Sequence, residues 1–308
     1  MNKIKITCTI IAIFLFCGLA NSQNTNLDAN RMKYYNTSAG QNAPSLEADK
    51  DDNGNIKKTE KGEVIYKQVA KDSYGNAKGN QFDLAIDGAF AGQTILVLQL
   101  YSEPSFDFKS PEKALKEKGF GVYRYISNPP DAAQLKKDLE KSCQLWIISD
   151  SYSKLGDEHL KVIKDYFDQG HGIYIWGDND PYYADANKVA RYLFDGEMTG
   201  NLMGDNPVGI QLNAGSPGIK EGHLVTTGLE NVYEGITIAT ISDNKNLQPL
   251  IYGSAGNLVT AVYEKNGKRA ILDGGFTRLY YKWETAGTDR YIKNAAAWLV
   301  NFENLTSK

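Results

Sequence analysis

Between Thr94 and Phe194, short and nearly unbroken apolar runs alternate with amphipathic segments, and few folds satisfy that alternation. Thr94-Ile95-Leu96-Val97-Leu98-Gln99-Leu100 reads as a strand covered on both faces, as in a parallel sheet. Gly121 to Ile126, Leu145 to Ser149 and Gly172 to Trp176 are further strands. Ser110-Pro111-Glu112 offers an N-cap, a first helical residue and an acid in the first turn of a helix ending at Gly119. Asp131 to Ser142 is a second helix. Leu155 to Gln169 is a third, with Leu160, Ile163, Tyr166 and Phe167 on one face and Gly170 as its C-cap. This order predicts an α/β fold, a doubly wound and mostly parallel sheet with right-handed crossovers.

The flanks read differently. Residues 23–90 are polar, with QNTN, NTSAGQN, DKDDNGN and YGNAKGN, and hold too little apolar surface to build a core. They predict a loosely ordered lead-in with a hairpin near Glu63-Val64-Ile65-Tyr66, ahead of a domain over 91–304. Asp195 to Gly222, rich in glycine and asparagine, predicts long loops over the sheet. Short strands are expected at Ile236–Ile241, Pro249–Tyr252 and Leu258–Tyr263. Asn266-Gly267 marks an added C-terminal β-hairpin that returns through Arg269–Leu272. Thr288 caps a terminal helix running to Phe302. No internal repeat stands out.

The N-terminus bears on the compartment. Met1-Asn2-Lys3-Ile4-Lys5 is a short cationic start, Ile6 to Ala20 is mostly apolar, and Ala20-Asn21-Ser22 supplies small residues, so residues 1–22 read as a cleaved signal peptide. A lipoprotein reading of Cys17 fails because bulky Phe16 precedes it. Cleavage removes Cys8 and Cys17 and leaves Cys143 with no intrachain partner. The formal net charge is −3 and becomes more acidic once Lys3 and Lys5 are lost, so no nucleic-acid or anionic-membrane partner is expected. No later segment is apolar enough for a transmembrane anchor. The expectation is an exported protein, periplasmic or extracellular.

Three features resemble the class I glutamine-amidotransferase-like superfold, a flavodoxin-like sheet, and particularly its exported and ThuA-like branches. One is the strand, helix, strand, corner, helix order that ends in GIYIWGDN. Another is His223-Leu224-Val225-Thr226-Thr227-Gly228-Leu229, followed by Tyr233-Glu234-Gly235, which is similar to an H-P-[IV]-T-x-G-L segment. The last is a strand from Arg269 to Gly275 leading to a terminal helix with Asn294-Ala295-Ala296-Ala297-Trp298-Leu299. The resemblance spans about Thr94 to Phe302. It implies a nucleophile elbow with cysteine in G-x-C-x-G, and a histidine after the late strand. Here the corner is Trp176-Gly177-Asp178, and Gly274 to Arg278 contains no histidine. Cys–His acyl transfer needs a thiolate beside a base, so the resemblance implies the fold without glutamine hydrolysis.

The expected site is the carboxyl edge of the sheet, where such folds bind ligands. Its loops carry Glu103, Ser151, Tyr152, Trp176, Asp178, Asn179, Tyr182, Tyr183, Thr277 and Arg278, with hydroxyls, carboxyls and stacking rings for a small molecule, a glycan or an envelope protein partner. Asp178, Asp180 and Asp185 offer hard oxygen ligands for Ca²⁺, although Asp-Asn-Asp-Pro is also good turn chemistry. A sharper calcium pattern is Asp49, Asp51, Asn53, Asn55 and Glu60 in D-x-[DN]-x-[DN]-G-x₅-E, against flanks that make poor helices. The alternative to a non-catalytic binding domain is a hydrolase using Asp178 as nucleophile, with His223 and Glu234 as the acid/base candidates.

Overall fold

The computed structural model describes residues 31–103 and 105–305, so the expected signal peptide, with Cys8 and Cys17, lies outside the described residues. In chain order the strands and helices are β1 (Leu46–Ala48), β2 (Tyr66–Gln68), β3 (Thr94–Gln99), α1 (Lys109–Glu117), β4 (Gly121–Ile126), α2 (Ala132–Leu139), β5 (Gln144–Ile148), α3 (Asp157–Asp168), β6 (Gly172–Trp176) and α4 (Ala184–Phe194). There follow β7 (Met198–Met203), β8 (Pro207–Val208), β9 (Gly218–Ile219), β10 (Val232–Tyr233), β11 (Thr237–Ile241), β12 (Gln248–Tyr252), β13 (Leu258–Lys265), β14 (Lys268–Asp273), α5 (Thr288–Leu299) and α6 (Phe302–Leu305).

The main sheet has the order β4-β3-β5-β6-β14-β13-β12-β9. Its first five strands are parallel, and the last three add on antiparallel. Counted along the chain, those five run 2-1-3-4-5, the flavodoxin-like order. Strand alternation sends Ile95, Val97, Trp146, Tyr174, Trp176 and Ile271 to one face, under α1 and α5. Leu96, Leu98, Leu145, Ile147, Ile173 and Ile175 go to the other, under α2, α3 and α4. Helices on both faces explain why the strands read as unbroken apolar runs. The Asn266-Gly267 hairpin forms as expected, both residues taking positive φ, with Lys265 opposite Lys268.

Several helix ends differ from expectation. The first helix starts at Lys109 with Phe108 as its N-cap, so Ser110 lies inside it. Helix α5 has Gly287 as its N-cap, so Thr288 lies inside it, and it stops at Leu299, because Asn301 turns left-handed (φ 57°) and donates to the carbonyls of Gly170 (2.7 Å) and Gly267 (2.8 Å). Asp195 to Gly222 is not simply loop: β7 pairs with β11, β8 with β10, and β9 closes the edge of the main sheet.

The lead-in is also more ordered than its composition implies. It contains three hairpins of one build, centred on Asp51–Asn55, Thr59–Glu63 and Asp72–Asn76. In each, the first residue's N–H bonds the fifth residue's carbonyl, a glycine follows at positive φ (Gly54, Gly62, Gly75), and a lysine before the turn bridges an aliphatic residue after it. The shared string is Lys-[Asp/Thr]-x-x-Gly-[Asn/Glu]-[Ile/Val/Ala], a short internal repeat that unequal spacing hides from a sequence scan. Turn hydrogen bonds satisfy the backbone where apolar burial is scarce. The same geometry departs from an EF-hand. Asp51 Oδ1 accepts from the N–H groups of Asn53 (2.9 Å) and Asn55 (2.8 Å), and Asp49 pairs with Lys57 (2.8 Å). Strand bridges flank the turn, with neither of the two helices an EF-hand needs.

The lead-in then docks on the domain. Tyr35, Leu84 and Phe90 join the core under α1 and α5. Buried Asp83 pairs with Lys118 (2.8 Å) and Arg290 (2.6 Å), while Asn294 Oδ1 accepts from the N–H of Leu84 (2.7 Å).

At the carboxyl end of β14, Asp273 is fully buried and saturated. Oδ2 accepts from the hydroxyls of Tyr291 (2.8 Å) and Tyr174 (3.1 Å), Oδ1 accepts from the N–H of Gly275 (3.0 Å), and Arg278 stands at 3.3 Å. Arg278, also fully buried, donates to the carbonyls of Gly275 (3.2 Å) and Glu234 (3.0 Å). Breaking a buried pair strands a charge and typically costs about 3–5 kcal/mol, whereas neutralising both partners costs far less. Asp273→Asn is expected to lose that amount in urea unfolding, and adding Arg278→Met to recover most of it. Additive losses in the double variant would show that the pair does not act as a unit.

Candidate functional site

The sheet begins at β3, steps out to β4 and returns across to β5, so its switch point lies beyond the carboxyl ends of β3 and β5. The corner after β6 stands beside it. Gly177 is fixed by backbone bonds to β14, its N–H to Asp273 O (2.9 Å) and its carbonyl from Phe276 N–H (3.2 Å). Met198, Tyr183 and Ala186 crowd its Cα, leaving no space for a side chain. Asp178 follows, 6% exposed, with Oδ1 unpartnered in the protein. Burial pushes its carboxyl well above the usual carboxylate range; the nearby Asp273 adds to this, and the Asn179 N–H and Arg278 offset only part.

The corner departs from a nucleophile elbow in two ways. Seven residues, Gly177 to Tyr183, separate the end of β6 from α4, so the helix N-terminus is not placed on Asp178. That N-terminus is already capped by Ser149, whose Oγ accepts from the N–H groups of Asp185 (3.0 Å) and Ala186 (3.2 Å). Nor is Asp178 among the residues with positive φ, so its backbone holds no strain of that kind.

Aromatic rings from three loops form a wall at this edge. Tyr101, after β3, meets Phe276 edge-on at 5.0 Å and Tyr182 at 5.8 Å. Phe106 lies 5.0 Å from Phe276 and 5.2 Å from Tyr280, which is itself 5.6 Å from Phe276. Burial raises the phenol of Tyr101, and Tyr280, Glu103 and Tyr182 raise it further. Tyr280 is raised by burial too, with Asp178, Glu103 and Tyr182 adding to it against an opposing hydrogen bond with Tyr101. Tyr101 and Tyr280 thus share the influence of Glu103 and Tyr182, and Asp178 acts on Tyr280.

No protein-family model matches this chain, and no curated protein matches its sequence. Similar solved structures include a ThuA-like protein from Parabacteroides merdae, at 11% identity over 68% of this chain and 90% of that one, TM-score 0.44. Another is described as a GMP synthase component from Thermoplasma acidophilum, at 10% over 67% and 95%, TM-score 0.41. A third is exo-β-1,4-mannosidase Op5Man5 from Opitutaceae bacterium strain TAV5, at 13% over 70% and 36%, TM-score 0.37, so the chain spans little more than a third of that protein. Likenesses this distant carry no argument, and the assignment rests on the order of the five parallel strands. The chain has a flavodoxin-like α/β fold.

In this fold, several sequence-selected residues sit elsewhere than expected. Trp176 is not a ligand contact: its ring is wholly buried, stacked on Tyr174 at 4.1 Å. Thr277 Oγ1 accepts from the N–H of Ile236 (2.8 Å), and Arg278 belongs to Asp273. Tyr152 is 62% exposed under Lys154, and Ser151 bonds Asp150. Asn179 accepts from Thr237 Oγ1 (2.7 Å), and the Tyr183 hydroxyl donates to Asp180 (3.0 Å). Asp185 turns inward to Ser153 Oγ (2.9 Å) and the N–H groups of Lys154 (3.0 Å) and Leu155 (2.9 Å), so its carboxylate is spent on the loop after β5. Asp178, Asp180 and Asp185 do not converge, and among the described residues no group of three or more His, Cys, Asp or Glu side chains is placed to hold a metal ion. Sequence reasoning missed Tyr101, Phe106, Phe276, Tyr280 and Asp273. The available signal was an acid closing the apolar run Ala270-Ile271-Leu272-Asp273, with aromatics flanking Thr277-Arg278.

His223 does not reach Asp178. It caps a short 3-10 helix, Leu224–Thr226, by accepting from the N–H of Val225 (3.2 Å), and its ring meets Trp298 at 5.1 Å. Trp298 O accepts from Arg269, near the start of β14, so about four strand residues, roughly 13 Å, lie between the His223 end of β14 and Asp273 at the Asp178 edge. Glu234 is spent on Ser254 Oγ (2.7 Å) and the N–H groups of Ser254 (2.6 Å) and Asn206 (3.1 Å). Cys143 precedes β5 at the opposite edge, and burial pushes its thiol up to about 12.

Two pH effects follow from these placements. Asp178 has a raised folded pKa, so its contribution is fully present below the ordinary carboxylate value and is lost as pH rises. Asp178→Asn should therefore gain on wild type by up to about 1.4 kcal/mol per pH unit through that window, read by urea unfolding at successive pH values. Parallel stability profiles would contradict the burial of this carboxyl.

For His223 the sign is opposite, because burial lowers it from 6.5 to about 4. Its contribution is present above pH 6.5 and is lost as pH falls toward 4, roughly 3 kcal/mol in all. His223→Asn keeps a capping acceptor and should remove that acid sensitivity; an unchanged acid limb would refute the assignment.

Proposed function

We propose that this protein is an exported, non-catalytic amidotransferase-like domain that binds a ligand at the carboxyl edge of its sheet. The observation that carries the reading is Asp178, a buried carboxyl with an unpartnered oxygen, with His223 and Cys143 among the described residues placed away from it. An aspartate nucleophile needs a base to resolve its ester, and His223 lies at the other end of β14. A binding site needs an enclosed apolar surface with a few placed polar groups, and Tyr101, Tyr182, Tyr280 and Asp178 supply that mixture. Export is part of the proposal, resting on the cationic and apolar start of the chain.

A thermal-shift scan of the chain lacking residues 1–22, against small molecules, glycans and peptides, tests this. At a hundredfold excess over Kd a ligand of the native state adds about 2.7 kcal/mol, which raises Tm by roughly 5–10 °C. The expected result is a shift with one ligand class and no turnover on ester, amide or glycoside substrates. Turnover that disappears in folded Asp178→Asn would overturn the non-catalytic reading.

A further inference from the structure

We propose that the Asp178 site takes a cationic ligand, an alkylammonium group held against the rings of Tyr101, Tyr182 and Tyr280 and paired with the carboxyls of Asp178 and Glu103. This rests on the binding reading above and specifies its ligand class.

The charge distribution argues for it. Tyr280, Glu103 and Tyr182 are the chief side-chain influences on Tyr101; Asp178, Glu103 and Tyr182 add to the shift of Tyr280; and the one cation named as acting on Asp178 is Arg278. The nearby cations are already committed. Arg278 is fully buried against Asp273 and the carbonyls of Gly275 and Glu234 and lies over Tyr291 at 5.3 Å, with only Nη1 left without an acceptor. Lys154 is held by Asp150 (2.8 Å) and the carbonyl of Leu100 (2.8 Å). What remains beside the half-buried phenols is acid that the committed guanidinium of Arg278 offsets only in part.

Asp178 supplies the second, independent observation. It is 6% exposed and its Oδ1 meets no donor in the protein. A cation supplies the missing charge and lets that carboxyl ionise, while ring faces attract the same cation through their quadrupoles. The rings come from the loop after β3, the corner after β6 and the segment after β14, and are held at 5.0–5.8 Å from one another through Tyr101 and Phe276. A neutral polyol would use the hydroxyls but leave the excess acid unmatched.

Tetramethylammonium is the direct probe, since it carries a fixed charge and has no hydrogen-bond donor. Its affinity is measured by calorimetry on the chain lacking residues 1–22 between about pH 5.5 and 8.5, a window in which an ordinary carboxylate no longer titrates, with methyl glucoside as the neutral control. Binding that ionises Asp178 releases a proton, so affinity should rise with pH, by up to about tenfold per unit while the free carboxyl stays protonated. Asp178→Asn should flatten that dependence and weaken binding at least tenfold. Tyr280→Leu should weaken it by about tenfold and Tyr280→Phe should retain it, a pair that separates lost ring from lost hydroxyl. Binding of methyl glucoside with no response to tetramethylammonium overturns the cation assignment and leaves the binding reading standing. Tetramethylammonium affinity that ignores both pH and Asp178→Asn overturns it too. Silence toward both probes and the wider ligand panel overturns both proposals together.

Discussion

The carboxyl edge depends on a buried ion pair and the hydrogen bonds that surround it. Asp273 ends β14, where a fully enclosed acid is costly unless every lone pair is used. Tyr174 reaches it from β6, Tyr291 from α5, and the Gly275 N–H and Arg278 from the segment beyond. Arg278 in turn holds the carbonyls of Gly275 and Glu234. Sheet, terminal helix, post-β14 segment and covering loop thus share one set of bonds, and none can shift without stranding a buried charge. Gly275 tolerates this closeness because it has no side chain to meet Glu234 O and Arg278.

From that anchor the site follows by connection rather than by local propensity. Gly177 N–H bonds Asp273 O and Phe276 N–H bonds Gly177 O, so the corner and the aromatic segment are locked to the same strand end. Thr277 Oγ1 meets the Ile236 N–H, and Asn179 meets Thr237, which brings the start of β11 over the corner. Asp178 is left behind this network, near Tyr280 and Tyr101, with its Oδ1 bonded to neither. Its burial is a product of neighbours fixed for another reason.

Much of the scaffold was legible in the sequence because its signals are local. The apolar runs of β3, β5 and β6 and the Asn266-Gly267 turn each specify their element without help from distant residues. The lead-in was misjudged because its order comes from turns and from Asp83, Asn294 and Arg290, which compositional reasoning about apolar content cannot weigh. The acids were legible as candidates but not as roles. Asp51, Asp185 and Asp178 look alike in sequence, and only the fold shows Asp51 closing its own turn, Asp185 holding a loop and Asp178 without a donor on Oδ1. Tyr101 and Tyr280 are 179 positions apart, so no spacing rule links them.

The position of α4 explains why an acid can stand at this corner. A helix N-terminus directly behind Asp178 would favour its anion and hold the carboxyl down. Instead the chain continues through Asn179-Asp180-Pro181-Tyr182-Tyr183 before the helix begins, and Ser149 takes the first helical N–H groups. The corner therefore surrenders the dipole that would lower a nucleophile's pKa and gains a longer loop that carries Tyr182 to the ring of Tyr101. Burial then sets the protonation of Asp178, with Asp273 pressing in the same direction from beneath. A corner built this way disfavours a standing anion, because nothing in the protein offsets the burial of its carboxyl in full.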